Sequence, residues 1–173
     1  MWLKLIGCCL VIIAGTLTGF SLAARYNERP KQVRQLIGCI TSLGSYINYV
    51  SLPLSEALIR SAGMIEGPVR DLFQQAGSFI DTSGWRSPQE AFAEALNMLE
   101  NELAIHKPER EIMLLLGANL GAVDRKEQQK HLDLAKVELE KIHQEAIIAR
   151  DQNVKMYRYL GVCGGLAIAI LLV

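Results

Sequence analysis

The chain has 173 residues, half of them apolar, with 18 basic and 18 acidic side chains and no net formal charge. That length reads as one domain, and the neutral balance excludes the broad electrostatic attraction on which nucleic-acid binders rely. A mean hydropathy of +0.19 is high for a domain in which 21% of residues are charged, and the excess apolarity lies at the two ends.

Leu5–Ala24 carries no charge. At ~1.5 Å per residue such a run crosses the ~30 Å of a bilayer's hydrocarbon core. Trp2 and Lys4 flank it on one side and Arg25 and Tyr26 on the other, as interface residues do. Ser21-Leu22-Ala23 matches a cleavage pattern, but the run is longer than a signal-peptide core and only Lys4 precedes it. An anchor is therefore the preferred reading. Leu160–Val173 is a second uncharged run, shorter, with Tyr157, Arg158 and Tyr159 placed to anchor it. Arg25, Arg29, Lys31, Arg34, Lys155 and Arg158 all lie between the two runs. The positive-inside rule then predicts a cytoplasmic centre and outside termini. The expected division is residues 1–25 as a first transmembrane helix, 26–156 as the central domain and 157–173 as a second span.

The centre reads as helices separated by proline and glycine. Pro30 suits the first position of a helix. Leu36, Ile40, Leu43, Ile47 and Val50 then recur at steps of four and three, which is one buried helical face. Pro53 breaks this helix. A short helix is predicted from Leu54 to Ala62 with Gly63 as its stop, and another from Gly67-Pro68 to about Asp81, with Val69, Leu72, Phe73, Ala76 and Ile80 inward. Ser87, Pro88 and Glu90 form a capping-box signature for a helix that buries Phe92, Leu96, Leu99 and Leu103. A further helix follows Lys107-Pro108 toward Gly117. The last opens at Asp124. Its series Leu132, Ala135, Leu139, Ile142, Ala146, Ala149, Asn153, Met156 keeps an unbroken heptad spacing. No Gly or Pro interrupts it before Leu160. The fold class is thus all-α, a bundle of about six helices flanked by N- and C-terminal transmembrane helices.

Chemistry-bearing patterns are sparse. Cys8, Cys9, Cys39 and Cys163 lack metal-ligand spacing. His106, His131 and His143 fit charged helix faces. Glu100, Glu102, Glu109 and Glu111, interleaved with Lys107 and Arg110, read as a solvated corner. We expect no catalytic residues, no metal and no cofactor. The most concentrated polar stretch follows the turn after Gly117. It nominates Asn119, Asp124, Arg125, Gln128, Gln129 and His131 as candidate partner-binding residues.

Four segments carry a family resemblance: "LTGF" at 17–20, "ERPKQVRQL" at 28–36, "LPLSEAL" at 52–58 and, most specific, "LGANLGAVDRKEQQKHLDLAKVELE" at 116–140. Over essentially its whole length the chain resembles the stage III sporulation protein AB family of endospore-forming bacteria, which is related to the type II secretion F domain. The resemblance implies an F-domain-like cytoplasmic bundle in the mother-cell membrane around the forespore. It also implies a platform role in a secretion-like channel complex. The implied partners are a cytoplasmic secretion-type ATPase, other membrane proteins of the complex and the membrane itself, without nucleic acid. The alternative is a membrane-anchored homodimeric coiled-coil adaptor, paired through the Leu132–Met156 seam, without ATPase contact. Neither reading makes the protein an enzyme.

Overall fold

The computed structural model describes residues 27–83, 87–121 and 124–172, with the side chains at 82, 83, 125 and 157–172 left undescribed. The described chain is helical with no β-strand among those residues. Helix α1 covers 27–45 and ends in a π-helical turn, Tyr46–Val50. There follow α2 (Leu54–Ser61), α3 (Pro68–Ser83), α4 (Pro88–Met98), α5 (Lys107–Asn119) and α6 (Arg125–Leu172). Lys31–Gln144 forms one compact unit, and Glu145 onward belongs to a second.

The core of the first unit is built where the helical spacing placed it. Val33, Leu36, Ile40 and Leu43 from α1 are fully buried. They join Leu58 of α2, Val69, Leu72 and Phe73 of α3, Phe92 and Leu96 of α4, Met113 and Leu116 of α5, and Leu132, Leu139 and Ile142 of α6. Phe73 and Phe92 meet edge to face at 5.8 Å and 86°, the arrangement that sets a ring's positive edge on its neighbour's negative face. Consecutive helices α2 to α5 pack pairwise. Gly77 permits the closest of these approaches: a Cβ there would lie 2.7 Å from Ile59 Cγ1 and 2.8 Å from the Ser55 carbonyl oxygen.

Local chemistry explains the ends. Ser87 Oγ accepts from the Glu90 N–H at 3.3 Å while the Ser87 N–H donates to Glu90 Oε2 at 3.1 Å. This is the expected capping box at the start of α4. α4 stops at Met98, short of the predicted Leu103. Leu103 is nonetheless buried, because Gln32 of α1 pins the loop that carries it. Its Oε1 accepts from the Ala104 N–H at 2.7 Å and its Nε2 donates to the Glu102 carbonyl at 3.4 Å.

Two expectations need correction. The chain is already helical at residue 27, so Pro30 does not open α1. Val50, assigned by spacing to the buried face, is 56% exposed. The π turn is the reason. Its i→i+5 bonding spreads each turn over more residues, so the apolar stripe leaves the core after Ile47, which still packs against it half-buried.

Among the described residues no helix is long and apolar enough to cross a membrane. The run Leu5–Ala24 lies outside them. Of the second expected span, only the helical backbone to Leu172 is described, so neither flanking span is supported by a described helix. Within the second unit, α6 carries an Arg150–Asp151 ion pair at 2.8 Å. The Asn153 side chain there donates to the Ala149 carbonyl at 2.7 Å.

The burial pattern on α6 fixes an expected contrast. Leu139→Ala, at a fully buried position, is expected to lower the unfolding free energy by about 2–5 kcal/mol. Val137→Ala, at a position 63% exposed, should change it by no more than about 0.5 kcal/mol. Denaturant titration of the two variants checks both.

Candidate functional site

The α5–α6 corner is shaped first by backbone contacts. At the end of α5, Gly117 lies against the start of α4: a Cβ would sit 2.9 Å from Gln89 Cα and 3.0 Å from the Pro88 carbonyl oxygen. The Leu120 N–H closes α5 on the Leu116 carbonyl at 3.0 Å, and buried Leu120 holds the turn inward. Gly121 then adopts φ +84, a left-handed conformation that favours glycine. On the far side the Gln128 N–H bonds the Asp124 carbonyl at 3.0 Å, which sets the first turn of α6.

The six nominated residues do not share one surface. Asn119 donates to the Leu115 carbonyl at 2.7 Å. It lines a shallow groove between α5 and α6 together with His131. Asp124 is exposed directly ahead of α6. Arg125 is the first residue of that helix, and its side chain is outside the description. Gln128 is turned inward and buried, so as folded it offers a partner almost no surface. Gln129 points the other way, toward α1, where its Oε1 accepts from Asn48 Nδ2 of the π turn. Its Nε2 donates to Asp133 Oδ1 at 3.0 Å, and Asp133 pairs with Lys136 at 2.8 Å. Hydrogen bonds from Lys136 and then Gln129 hold the Asp133 carboxyl below its ordinary range.

This chain of polar contacts crosses a groove of about 470 Å³ whose lining includes Thr41, Ser45, Asn48, Tyr49, Lys126 and Gln129. Asn48, Tyr49 and Lys126 were not nominated from sequence. Nothing in the spacing of α1 marks a π turn, and an α-helical count carries Asn48 to a different azimuth. Tyr49 is 86% exposed at the rim.

Two other titratable groups are accounted for by structure. Burial pushes the Cys39 thiol up to about 12, which keeps it protonated and unreactive. Glu109, grouped above with a solvated corner, is fully buried. It is the third residue of α5, and its Oε2 accepts from the His106 N–H at 3.0 Å. Here a histidine stands at the cap position where the usual signature has Ser or Thr. Glu100, Glu102 and Glu111 are exposed as expected. Among the described residues no three His, Cys, Asp or Glu side chains converge as metal ligands would.

The comparisons with known proteins agree with one another. The family described as stage III sporulation protein AB matches residues 4–173. Stage III sporulation protein AB of Bacillus subtilis (strain 168) is 37% identical over 170 residues, which is 98% of this chain and 99% of that protein. A solved structure of stage III sporulation protein AB (SpoIIIAB) is similar with a TM-score of 0.67 and 34% identity, covering 72% of this chain and 98% of its own. The chain belongs to the stage III sporulation protein AB family, and this membership indicates a role in sporulation.

Gln129→Ala removes both bonds that join the π turn to Asp133 and is expected to cost about 1–2 kcal/mol of stability. Lys130→Ala, on the exposed face one residue on, should stay within about 0.5 kcal/mol. Thermal unfolding of the pair compares them.

Proposed function

We propose that the protein is a non-catalytic membrane platform in a secretion-like channel complex of the sporulating cell. In this reading residues 1–25 and 157–173 anchor it in the mother-cell membrane that surrounds the forespore. The helical bundle faces the cytoplasm, resembles the type II secretion F domain, and docks a secretion-type ATPase.

The observation that carries the reading is α6. It is one helix of 48 residues, Arg125–Leu172, about 70 Å long at ~1.5 Å per residue. No Gly or Pro lies between Ala122 and Leu160, so nothing in the sequence invites a kink. The polar corner nominated for the ATPase and the apolar run nominated for the membrane thus belong to one element. The uncharged run Leu5–Ala24 and the basic residues that follow it supply the case for the other anchor.

Asp124, Arg125 and His131 are the residues to change, since Gln128 is buried. The combined variant Asp124→Lys, Arg125→Glu, His131→Glu is expected to reduce capture of the ATPase by the full-length chain in detergent at least about tenfold. Its helical circular dichroism should be unchanged. Undiminished capture removes this corner from the docking reading.

A further inference from the structure

The groove between α1 and α6 plays no part in the docking corner described above. Its walls run antiparallel. Gly44 of α1 lies against Leu132 of α6, and Asn48, one turn further along α1, is hydrogen-bonded to Gln129, nearly one turn earlier on α6. The volume of about 470 Å³ is that of a ligand cleft, ~300–1,000 Å³.

The two walls differ in chemistry, and the difference describes an occupant. On the α1 wall, Thr41 Oγ1 donates to the Ile37 carbonyl at 2.8 Å and Ser45 Oγ donates to the Thr41 carbonyl at 3.2 Å. Both hydroxyl protons are spent inside the helix, so the groove is offered their oxygens as acceptors. Asn48 likewise gives its Nδ2 to Gln129 and keeps its Oδ1. The α6 wall supplies two ammonium groups, and no carboxylate joins the lining. Lys136 is matched by Asp133 at 2.8 Å. Lys126, exposed three residues before Gln129, has no ion pair among the described residues.

A bare anion such as phosphate would meet oxygen lone pairs along the whole α1 wall. A stretch of polypeptide would not. Its N–H groups donate to hydroxyl oxygens while a Glu or Asp side chain reaches the ammonium. Positions 41 to 48 span ~10 Å of helix at ~1.5 Å per residue, which matches about three residues of extended chain at ~3.3 Å each. The π turn closes the Lys126 end of the groove, and such turns are frequent at functional sites. Ser51 beside it is held at φ 55, a strain that survives where a site requires it. Tyr49, 86% exposed on the rim, is the kind of aromatic side chain on which interfaces anchor.

We propose that this groove docks an extended acidic segment of a partner protein. A carboxylate of the segment pairs with Lys126, its main-chain N–H groups donate to Thr41 and Ser45, and an apolar side chain lies against Tyr49. The contact is additional to the Asp124, Arg125 and His131 corner, and it stands or falls whatever binds there.

The test uses the full chain in a neutral detergent and two fluorescent, end-blocked pentapeptides, Glu-Leu-Glu-Leu-Glu and Lys-Leu-Lys-Leu-Lys. Fluorescence anisotropy is expected to show saturable binding of the acidic peptide, at least about tenfold tighter than that of the basic one. Lys126→Glu should weaken the acidic peptide at least about tenfold, and Tyr49→Ala about threefold or more. Lys130→Glu makes the same charge change at an exposed position outside the groove lining and should leave the affinity within about threefold. All three residues are exposed, so unchanged circular dichroism separates lost binding from lost folding. Absence of saturable binding overturns the proposal. So does an equal loss in Lys126→Glu and Lys130→Glu, which is the mark of general charge attraction. Displacement of the peptide by inorganic phosphate at an equal concentration also overturns it, since the groove would then be a bare anion site.

Discussion

Everything else in the bundle depends on the inward face of α6. Helices α1 to α5 each carry an apolar stripe that no neighbour in sequence covers completely. Leu132, Ala135, Leu139 and Ile142 enter the same cluster as the stripes of the other five. Gly44 marks how near α1 comes. A Cβ there would lie 3.5 Å from Leu132 Cδ1 and 3.5 Å from Gln129 Oε1, an ordinary contact that leaves no gap between the helices. A long helix that could have paired with another long helix is instead the closing wall of its own domain. This decides against the simplest coiled-coil adaptor, because pairing through that seam would strip the core of one side.

The helices themselves were legible because their signals are local. Step patterns of three and four located the buried residues of α3 and, from Leu132 to Ala146, of α6, whereas Met156 at the end of that series is exposed; Ser87 with Glu90 announced the start of α4. Most of the misreadings depend on a contact distant in sequence or on a change of helical pitch. Val50 left the core because the helix widened beneath it. Glu109 was read as solvated because its neighbours are charged, yet its carboxylate closes a helix end that faces inward. Gln128 and Gln129 are adjacent and chemically identical, and only the position of α1 decides that one is buried and the other hydrogen-bonded to Asn48. The buried Gln32, which fixes the loop after α4 through residues some seventy positions away, has no sequence signature at all.

The nominated site was legible as a place but not as a surface. The stretch 117–131 is where α5 hands over to α6, and its polar residues do gather there. The handover splits them. Asn119 and His131 look onto the α5–α6 groove, Gln129 onto the α1–α6 groove, and Gln128 onto the core between. A helix presents successive residues about 100° apart, so a run of polar letters at a helix start surrounds the axis rather than covering one side. Family membership adds the cellular setting, sporulation, and the geometry adds which of the residues remain available to a partner in that setting.

The π turn at Tyr46–Val50 also marks where this chain could take a change of length. The Ser51 and Leu52 N–H groups both close on the Tyr46 carbonyl, and Ser51 takes φ 55, a conformation that costs a non-glycine residue energy. A turn closed by i→i+5 bonds holds one residue more than an α-helical turn. Loss of one residue between Tyr46 and Val50 would let the helix close in the ordinary way, with the fully buried residues from Val33 to Leu43 untouched. The end of α1 is thus a point where the chain can shorten by one residue without shifting the register of the core, at the cost of turning the Asn48 side chain away from Gln129.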